Sequence, residues 1–234
     1  MLGDFNNDGR LDIAGSSNQL AWGKGNGSFE TPVTIDADAP FGGFNWVAKG
    51  DLNNDGWMDL VLPATEANAL YILLNNHHGG FIASTVPAGY KEGSGPKAVA
   101  LADLNLDGNL DAVVEMYYGY SVAVYLGNGE GGFTLTSKTF MQYVGSYPQP
   151  PQVGDVNGDG VPDILMPASG SLGIAYGIGN GTFTAQLYIG TGNGAGQIIL
   201  SDVHGQPASE RSPDIVSPDN TGGVMVLVNT TPNQ

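Results

Sequence analysis

The chain has 234 residues and no cysteine, so it can bury a sizeable core without staples and has no disulfide framework or thiolate chemistry. Its 23 acidic residues against 7 basic ones give a formal charge of −16, which argues against nucleic acid and anionic membranes as partners. With 37 Gly and 14 Pro no long helical pattern survives, and the longest apolar runs, such as 224–228, fall far short of the about 20 residues of a membrane helix. At 41% apolar residues with its acids clustered, the chain reads as folded rather than disordered.

The first element is an acidic loop, Gly-Asp-Phe-Asn-Asn-Asp-Gly-Arg-Leu-Asp, starting at Gly3. An apolar stretch, the turn Gly25-Asn26-Gly27 and then Phe29 follow it. The loop returns as Gly-Asp-Leu-Asn-Asn-Asp-Gly-Trp-Met-Asp at Gly50, with His77-His78 in the place of the Gly-Asn-Gly turn and Phe81 after it. The third copy starts at Ala102, preceded by apolar residues 98–101 and followed by 112–114, an alternating stretch 121–126, Gly127-Asn128-Gly129 and Phe133. The fourth starts at Gly154 and leads to Gly179-Asn180-Gly181 and Phe183. A worn fifth copy starts at Ser201, with Asp202, His204, Pro213 and Asp214. The leading aspartates stand at 4, 51, 103, 155 and 202, so the spacings are 47, 52, 52 and 47.

Asn-Gly between alternating apolar runs is the strongest short signal for a hairpin. Each unit thus reads as about four short antiparallel strands, and a period near 50 residues points to a propeller blade. The expected fold is all-β: a β-propeller of about five four-stranded antiparallel blades in one domain. The units run approximately 1–45, 46–96, 97–149, 150–195 and 196–234. Either they close into a five-bladed ring or they form an arc of a larger propeller. The recurring phenylalanine is expected in the core between blades. The first strand of the first unit is expected short or missing, and the last unit stops after its third strand.

The loop pattern is D-x-N-x-D-G-x-x-D. Positions 1, 3, 5 and 9 carry side-chain oxygens, position 7 offers a backbone carbonyl, and the glycine at position 6 permits a positive φ. Ca²⁺ takes six to eight such oxygens, whereas the absence of Cys, and of His from the four intact loops, disfavours Zn²⁺ and Cu²⁺. Mg²⁺ is the second choice. Asp, Asn and Gly also form plain turns, but converging carboxylates without a cation cost a few kcal/mol per pair, which favours metal. An EF-hand needs an acid at position 12, where this chain has Gly15, Leu62, Val114 and Met166.

These loops and turns resemble the FG-GAP/VCBS repeats found in integrin α-subunit propellers and many bacterial secreted proteins. The resemblance implies a β-propeller with about four structural Ca²⁺ ions, each in the loop between the first two strands of a blade. The implied ligands are Asp4, Asn6, Asp8, the carbonyl of Arg10 and Asp12 in the first loop, and Asp51, Asn53, Asp55, the carbonyl of Trp57 and Asp59 in the second. They are Asp103, Asn105, Asp107, the carbonyl of Asn109 and Asp111 in the third, and Asp155, Asn157, Asp159, the carbonyl of Val161 and Asp163 in the fourth. Asp202 to Asp214 spans 12 residues where the other loops span 8, so no ion is expected there. The family usually closes at seven blades, and five is a departure.

No catalytic constellation emerges, and the chain is expected not to be an enzyme. His77 and His78 read as a solvated turn, and Gly127-x-Gly129-x-x-Gly132 matches a dinucleotide fingerprint only by letters, since no helix follows it. Glu66, Glu92 and Glu115 are free but nothing pairs them. The loops opposite the acidic face hold aromatics: Phe41, Phe44 and Trp46; Tyr90; Tyr117, Tyr118 and Tyr120; and Tyr143 and Tyr147. Aromatics on loops suit the recognition of carbohydrate or an extracellular protein. The expected role is a calcium-stabilised, non-enzymatic recognition or adhesion module, a lectin among the options. The alternative is a structural repeat segment of a larger secreted protein, appended to an enzyme such as a polysaccharide-active one. Secretion or display at the cell surface is expected, the chain reading as a mature or trimmed form without its signal peptide. Self-association is expected if the ring is incomplete.

Overall fold

The structure is a computed structural model that describes residues 1–15, 19–35, 46–89, 95–119, 121–139, 149–168, 171–190, 197–203, 213–218 and 223–229. Five antiparallel sheets follow one another along the chain in a propeller-like, all-β arrangement. The first is built from β1 (Leu2–Gly3), β2 (Asp12–Gly15), β3 (Gln19–Ala21) and β4 (Val33–Thr34). The second holds β5 (Ala48–Gly50), β6 (Asp59–Ala64), β7 (Ala69–Asn75) and β8 (Phe81–Pro87). The third holds β9 (Pro96–Ala102), β10 (Asp111–Met116), β11 (Ser121–Gly127) and β12 (Phe133–Thr139). The fourth holds β13 (Gln152–Gly154), β14 (Asp163–Ala168), β15 (Ser171–Ala175) and β16 (Leu187–Gly190). The fifth has three strands, β17 (Ile199–Ser201), β18 (Asp214–Pro218) and β19 (Val224–Leu227). A short 3-10 turn, Tyr117–Gly119, joins β10 to β11. No described helix is long and apolar enough to cross a membrane.

In every sheet the strands pair in sequence order, each with the next. The N-terminal segment pairs as β1 with β2, Leu2 opposite Ile13, and so belongs to the first sheet rather than to the last. The Gly-Asn-Gly segments turn hairpins, as expected. Asn128 Oδ1 accepts from the N–H groups of Glu130 and Gly132, so the fingerprint-like Gly127–Gly132 segment is a turn between β11 and β12.

What holds sheet to sheet is a repeated division of labour after the last aspartate of each loop. The residue one past it faces the preceding sheet, and the residue two past it faces the following one. Leu60 packs into the core between the first and second sheets and Val61 into that between the second and third. Ala112 and Val113, and Ile164 and Leu165, repeat the alternation. This is the period-2 pleat of a strand buried on both faces. Four such cores join the five sheets, and each fully buried Leu, Ile or Val in them is worth about 1.5–3 kcal/mol. Among the described residues no apolar core joins the fifth sheet to the first.

The recurring phenylalanine faces the preceding sheet in each repeat. Phe81, Phe133 and Phe183 pack into the first, second and third cores. Phe29, in the first sheet, is 37% exposed, so at this one position the expected core phenylalanine lies at the surface.

Candidate cation-binding loops and the opposite face

The four intact loops share one hydrogen-bond scheme. At position 1, the Asp4 carboxylate accepts from the N–H groups of Asp8 and Gly9, at 3.1 and 2.8 Å. Asp51, Asp103 and Asp155 accept from the equivalent residues. The position 3 amide donates to the position 5 carboxylate, Asn6 to Asp8 at 2.8 Å, and so do Asn53, Asn105 and Asn157. The position 5 carboxylate also accepts from the N–H of position 7, as Asp107 does from Asn109 at 2.8 Å. Position 6 is glycine throughout, with φ of 80, 84, 88 and 85° at Gly9, Gly56, Gly108 and Gly160. Position 4 is also left-handed: Asn7, Asn54, Leu106 and Gly158 have φ of 54, 58, 61 and 78°. A branched apolar side chain is costly there, by roughly 1–2 kcal/mol at Leu106.

The position 9 aspartate does something the sequence pattern did not reveal. Asp12, Asp59, Asp111 and Asp163 are fully buried, and both oxygens of each are occupied by backbone donors. One oxygen accepts from the N–H of position 2, as Asp111 does from Leu104 at 2.8 Å. The other accepts from the residue at the end of the third strand, Gly127 at 2.9 Å for Asp111. Phe5 and Gly23, Leu52 and Asn75, and Val156 and Gly177 are the donor pairs of the other three. Asp214 of the fifth sheet is equally buried and accepts from Val203 and Asn229, although the Asn-x-Asp-Gly part of its motif is gone. The aspartate is therefore a brace that ties loop to third strand, whatever else the loop does. Its persistence in a unit that has lost the remaining pattern is the one sequence signal that separates the two roles.

The electrostatics follow from this burial. Burial pushes the Asp59 carboxyl up to about 6 against the N–H groups of Asn75 and Leu52, and the charges of Asp55 and Asp51 add to the rise. Asp163 is raised to about 6 in the same way, and Asp111 is raised. Asp107, at the rim, is held below its ordinary value by the Asn109 N–H and the Asn105 amide. Burial pushes the Asp8 carboxyl up, but the Asn6 amide and the Arg10 backbone and guanidinium outweigh it and leave it lowered. His77, with φ of 62° in its turn, stacks on Trp57 and contacts Asp55 through Nε2 at 2.8 Å. The turn expected to be merely solvated thus engages the second acidic loop.

The donor set of each intact loop fits a hard cation: carboxylate, amide and carbonyl oxygens, with no sulfur. The side chains are folded onto backbone N–H groups, and among the described residues no three acidic or His side chains are gathered around one point. A carboxylate has about four lone-pair sites, so an oxygen that accepts one N–H retains capacity for a ligand. Neighbouring loops touch: Asn7 Nδ2 donates to Gly56 O at 3.1 Å and Asn54 Nδ2 to Asn109 Oδ1 at 2.9 Å.

A model of the FG-GAP-like repeat matches residues 4–62, 51–114 and 116–166. The chain belongs to the FG-GAP-like repeat family. Its matched repeats contain all four acidic loops. Comparison with curated protein sequences gives no match. Among solved structures, the FG-GAP-like chain is similar to an Agrocybe aegerita lectin described as recognising non-reducing terminal N-acetylglucosamine, with a TM-score of 0.59 and 20% identity. All of this chain and 66% of the lectin are covered. It is also similar to part of the Photorhabdus luminescens Tc holotoxin pore, with a TM-score of 0.55 and 19% identity, over 100% of this chain and 11% of that one. At these identities the likeness is one of fold.

Of the aromatic residues expected at the other end of the sheets, Trp46, Tyr117 and Tyr118 are described. β10 begins at Asp111 beside its acidic loop and ends at Met116, so Tyr117 and Tyr118 stand at the end away from that loop. Their rings meet edge to face at 5.1 Å, and Tyr118 is 59% exposed. Lys97 Nζ lies 5.6 Å from the centre of the Tyr117 ring. Trp46 is half-buried just before β5. Phe41, Phe44, Tyr90, Tyr120, Tyr143, Tyr147 and His204 lie outside the described residues. Glu115, at this same end of β10, is 1% exposed and is held only weakly, by the Gln149 backbone and the Lys97 charge. In three other units the equivalent position is proline, Pro63, Pro167 and Pro218, so a buried acid here is peculiar to the third.

Proposed function

We propose that this chain is a calcium-stabilised, non-enzymatic recognition module that binds carbohydrate through the aromatic loops at the end of its sheets away from the acidic loops. The observation that carries the calcium half is the fourfold repetition of one oxygen-only loop with one hydrogen-bond scheme. The residues that would hold the ions are those at positions 1, 3 and 5 of each loop, the carbonyls of Arg10, Trp57, Asn109 and Val161, and the remaining lone pairs of Asp12, Asp59, Asp111 and Asp163. A bound divalent cation supplies positive charge that offsets the loop carboxylates and fixes the link between the first two strands of a sheet. Asp202 and Asp214 lack the intervening pattern and hold none.

The carbohydrate half is supported by the edge-to-face Tyr117–Tyr118 pair, of which Tyr118 is exposed, and by the likeness to a sugar-recognising lectin. Aromatic faces beside a cationic side chain suit the apolar face and hydroxyl rim of a sugar ring.

Two measurements test the two halves separately. In a thermal scan, millimolar Ca²⁺ raises Tm relative to chelator, because binding to the folded state alone stabilises by about 2.7 kcal/mol per site at a hundredfold excess over Kd. An unchanged Tm overturns the calcium reading. On a glycan array the wild type binds and Tyr118→Ala, still folded, does not; silence of the wild type instead favours a structural repeat segment.

A further inference from the structure

We propose that the first three acidic loops form one cooperative cation-binding unit, linked by the asparagines at position 4, and that the fourth loop binds independently. The inference rests on the calcium reading above and concerns how the loops act on one another.

The links are hydrogen bonds from one loop to groups of the next that face its candidate ligands. Asn7 Nδ2, at position 4 of the first loop, donates to Gly56 O at 3.1 Å. That carbonyl belongs to the peptide whose N–H, on Trp57, donates to Asp55 Oδ1 at 2.8 Å. One peptide of the second loop is thus held by Asn7 on one side and by a candidate ligand on the other. Asn75 adds a second tie, because its side chain donates to Phe5 O in the first loop while its N–H donates to Asp59. From the second loop to the third, Asn54 Nδ2 donates to Asn109 Oδ1 at 2.9 Å, and the Asn109 side chain in turn donates to the Asp107 carboxylate. An added Cβ at Gly129 would lie 2.3 Å from Asn109 Oδ1 and 2.9 Å from Asn54 Nδ2, so this amide pair is seated against the hairpin turn of the third sheet. Gly131 N–H also donates to Leu52 O of the second loop at 3.0 Å.

The third and fourth loops share this backbone but not these side chains. Position 4 of the third loop is Leu106, with φ of 61°, and position 7 of the fourth is Val161. Neither side chain can donate or accept. Ser137 Oγ reaches Gly181 O across the same boundary at 3.0 Å, but neither residue belongs to a loop.

An Asp55 or Asp107 carboxylate fixed on a cation also fixes the amides bonded to it. The loop across the link then has less freedom to lose when it binds, which is positive coupling. Ions of like charge in adjacent loops repel, so electrostatics alone gives the opposite sign.

Amide NMR of the whole chain, titrated with Ca²⁺, reads each loop separately. The N–H groups of Gly9, Gly56, Gly108 and Gly160 each donate to the position 1 carboxylate of their own loop and so report on it. Gly9, Gly56 and Gly108 are expected to shift together along one steep curve, and Gly160 along a separate single-site curve. Asn54→Gly removes the amide but keeps the left-handed backbone, which Gly158 adopts at the same position of the fourth loop. In that variant Gly108 is expected to part from Gly9 and Gly56, its midpoint raised about fivefold. Circular dichroism checks folding, and Asn7→Gly, which is expected to separate Gly9 in the same way, replaces Asn54→Gly if it does not fold. Four single-site curves in the wild type overturn the linkage, as does a Gly160 that shares the common curve or a Gly108 that stays on it in Asn54→Gly. No shift at any of the four glycines overturns the calcium reading itself and the linkage with it.

Discussion

At the scale of single residues, the position 9 aspartate is the most informative side chain. From sequence it is one acid among three in a loop, and nothing in the spacing distinguishes it. The structure gives it a second task, because its two oxygens are spent on two buried N–H groups. Asp214 performs this task in a unit without the rest of the motif, so it isolates the brace from any cation. Asp214→Ala leaves two donors unpaired and is expected to cost about 2–4 kcal/mol. Melting in Ca²⁺ and in chelator should show the same drop, and a loss confined to Ca²⁺ would assign Asp214 to a metal site instead.

Glu115 was also invisible as anything but a spare acid, since burial is not written in a strand of alternating residues. Burial pushes its carboxyl from an ordinary value of 4.5 up to about 8, while the Gln149 backbone and Lys97 pull against the rise. The folded state therefore holds a proton that the unfolded chain releases at lower pH. Stability is unaffected below 4.5, falls as pH climbs through the window, and carries the full cost above about 8. Glu115→Gln is expected to flatten that fall between pH 5 and about 8 in melting scans at saturating Ca²⁺. Parallel profiles for wild type and variant would show that Glu115 is already ionised at the lower pH.

At the scale of elements, the repeat, the strands and the hairpin turns were legible because their signals are local: alternation, Asn-Gly and a fixed period. The choice of residue after the third strand was not. Gly23, Gly127 and Gly177 occupy it in three sheets, where an added Cβ would lie 2.1, 2.2 and 2.3 Å from the carbonyl oxygens of Leu11, Leu110 and Pro162. Asn75 and Asn229 occupy it in the other two, and their side chains donate to Phe5 O and Val156 O of the preceding unit at 2.7 and 2.6 Å. One backbone position thus has two solutions, close approach without a side chain or a side chain that reaches the preceding unit. Gly127→Ala forces the carbonyl of Leu110 aside and is expected to cost about 1–3 kcal/mol, read as a lower urea midpoint at unchanged slope. An unshifted midpoint would mean that the strand end relaxes freely.

At the scale of the molecule, the stack has nearest-neighbour order: every apolar core lies between consecutive sheets. The sequence could count units but not say what the outermost ones face, because their residues follow the same pattern as buried ones. Phe29 reads like Phe81, yet it is 37% exposed where Phe81 is buried. The expectation of five blades appears here as five sheets, with four apolar cores between them among the described residues.

The brace has a further consequence for how such a chain can change. It fastens the loop and the first three strands of a unit and leaves the fourth outside the clasp. In the first sheet that fourth strand is two residues long, in the second it is seven with most side chains in water, and in the fifth sheet none stands among the described residues. The outer strand is a fringe whose length differs from sheet to sheet, while the clasp of three strands and loop keeps one geometry.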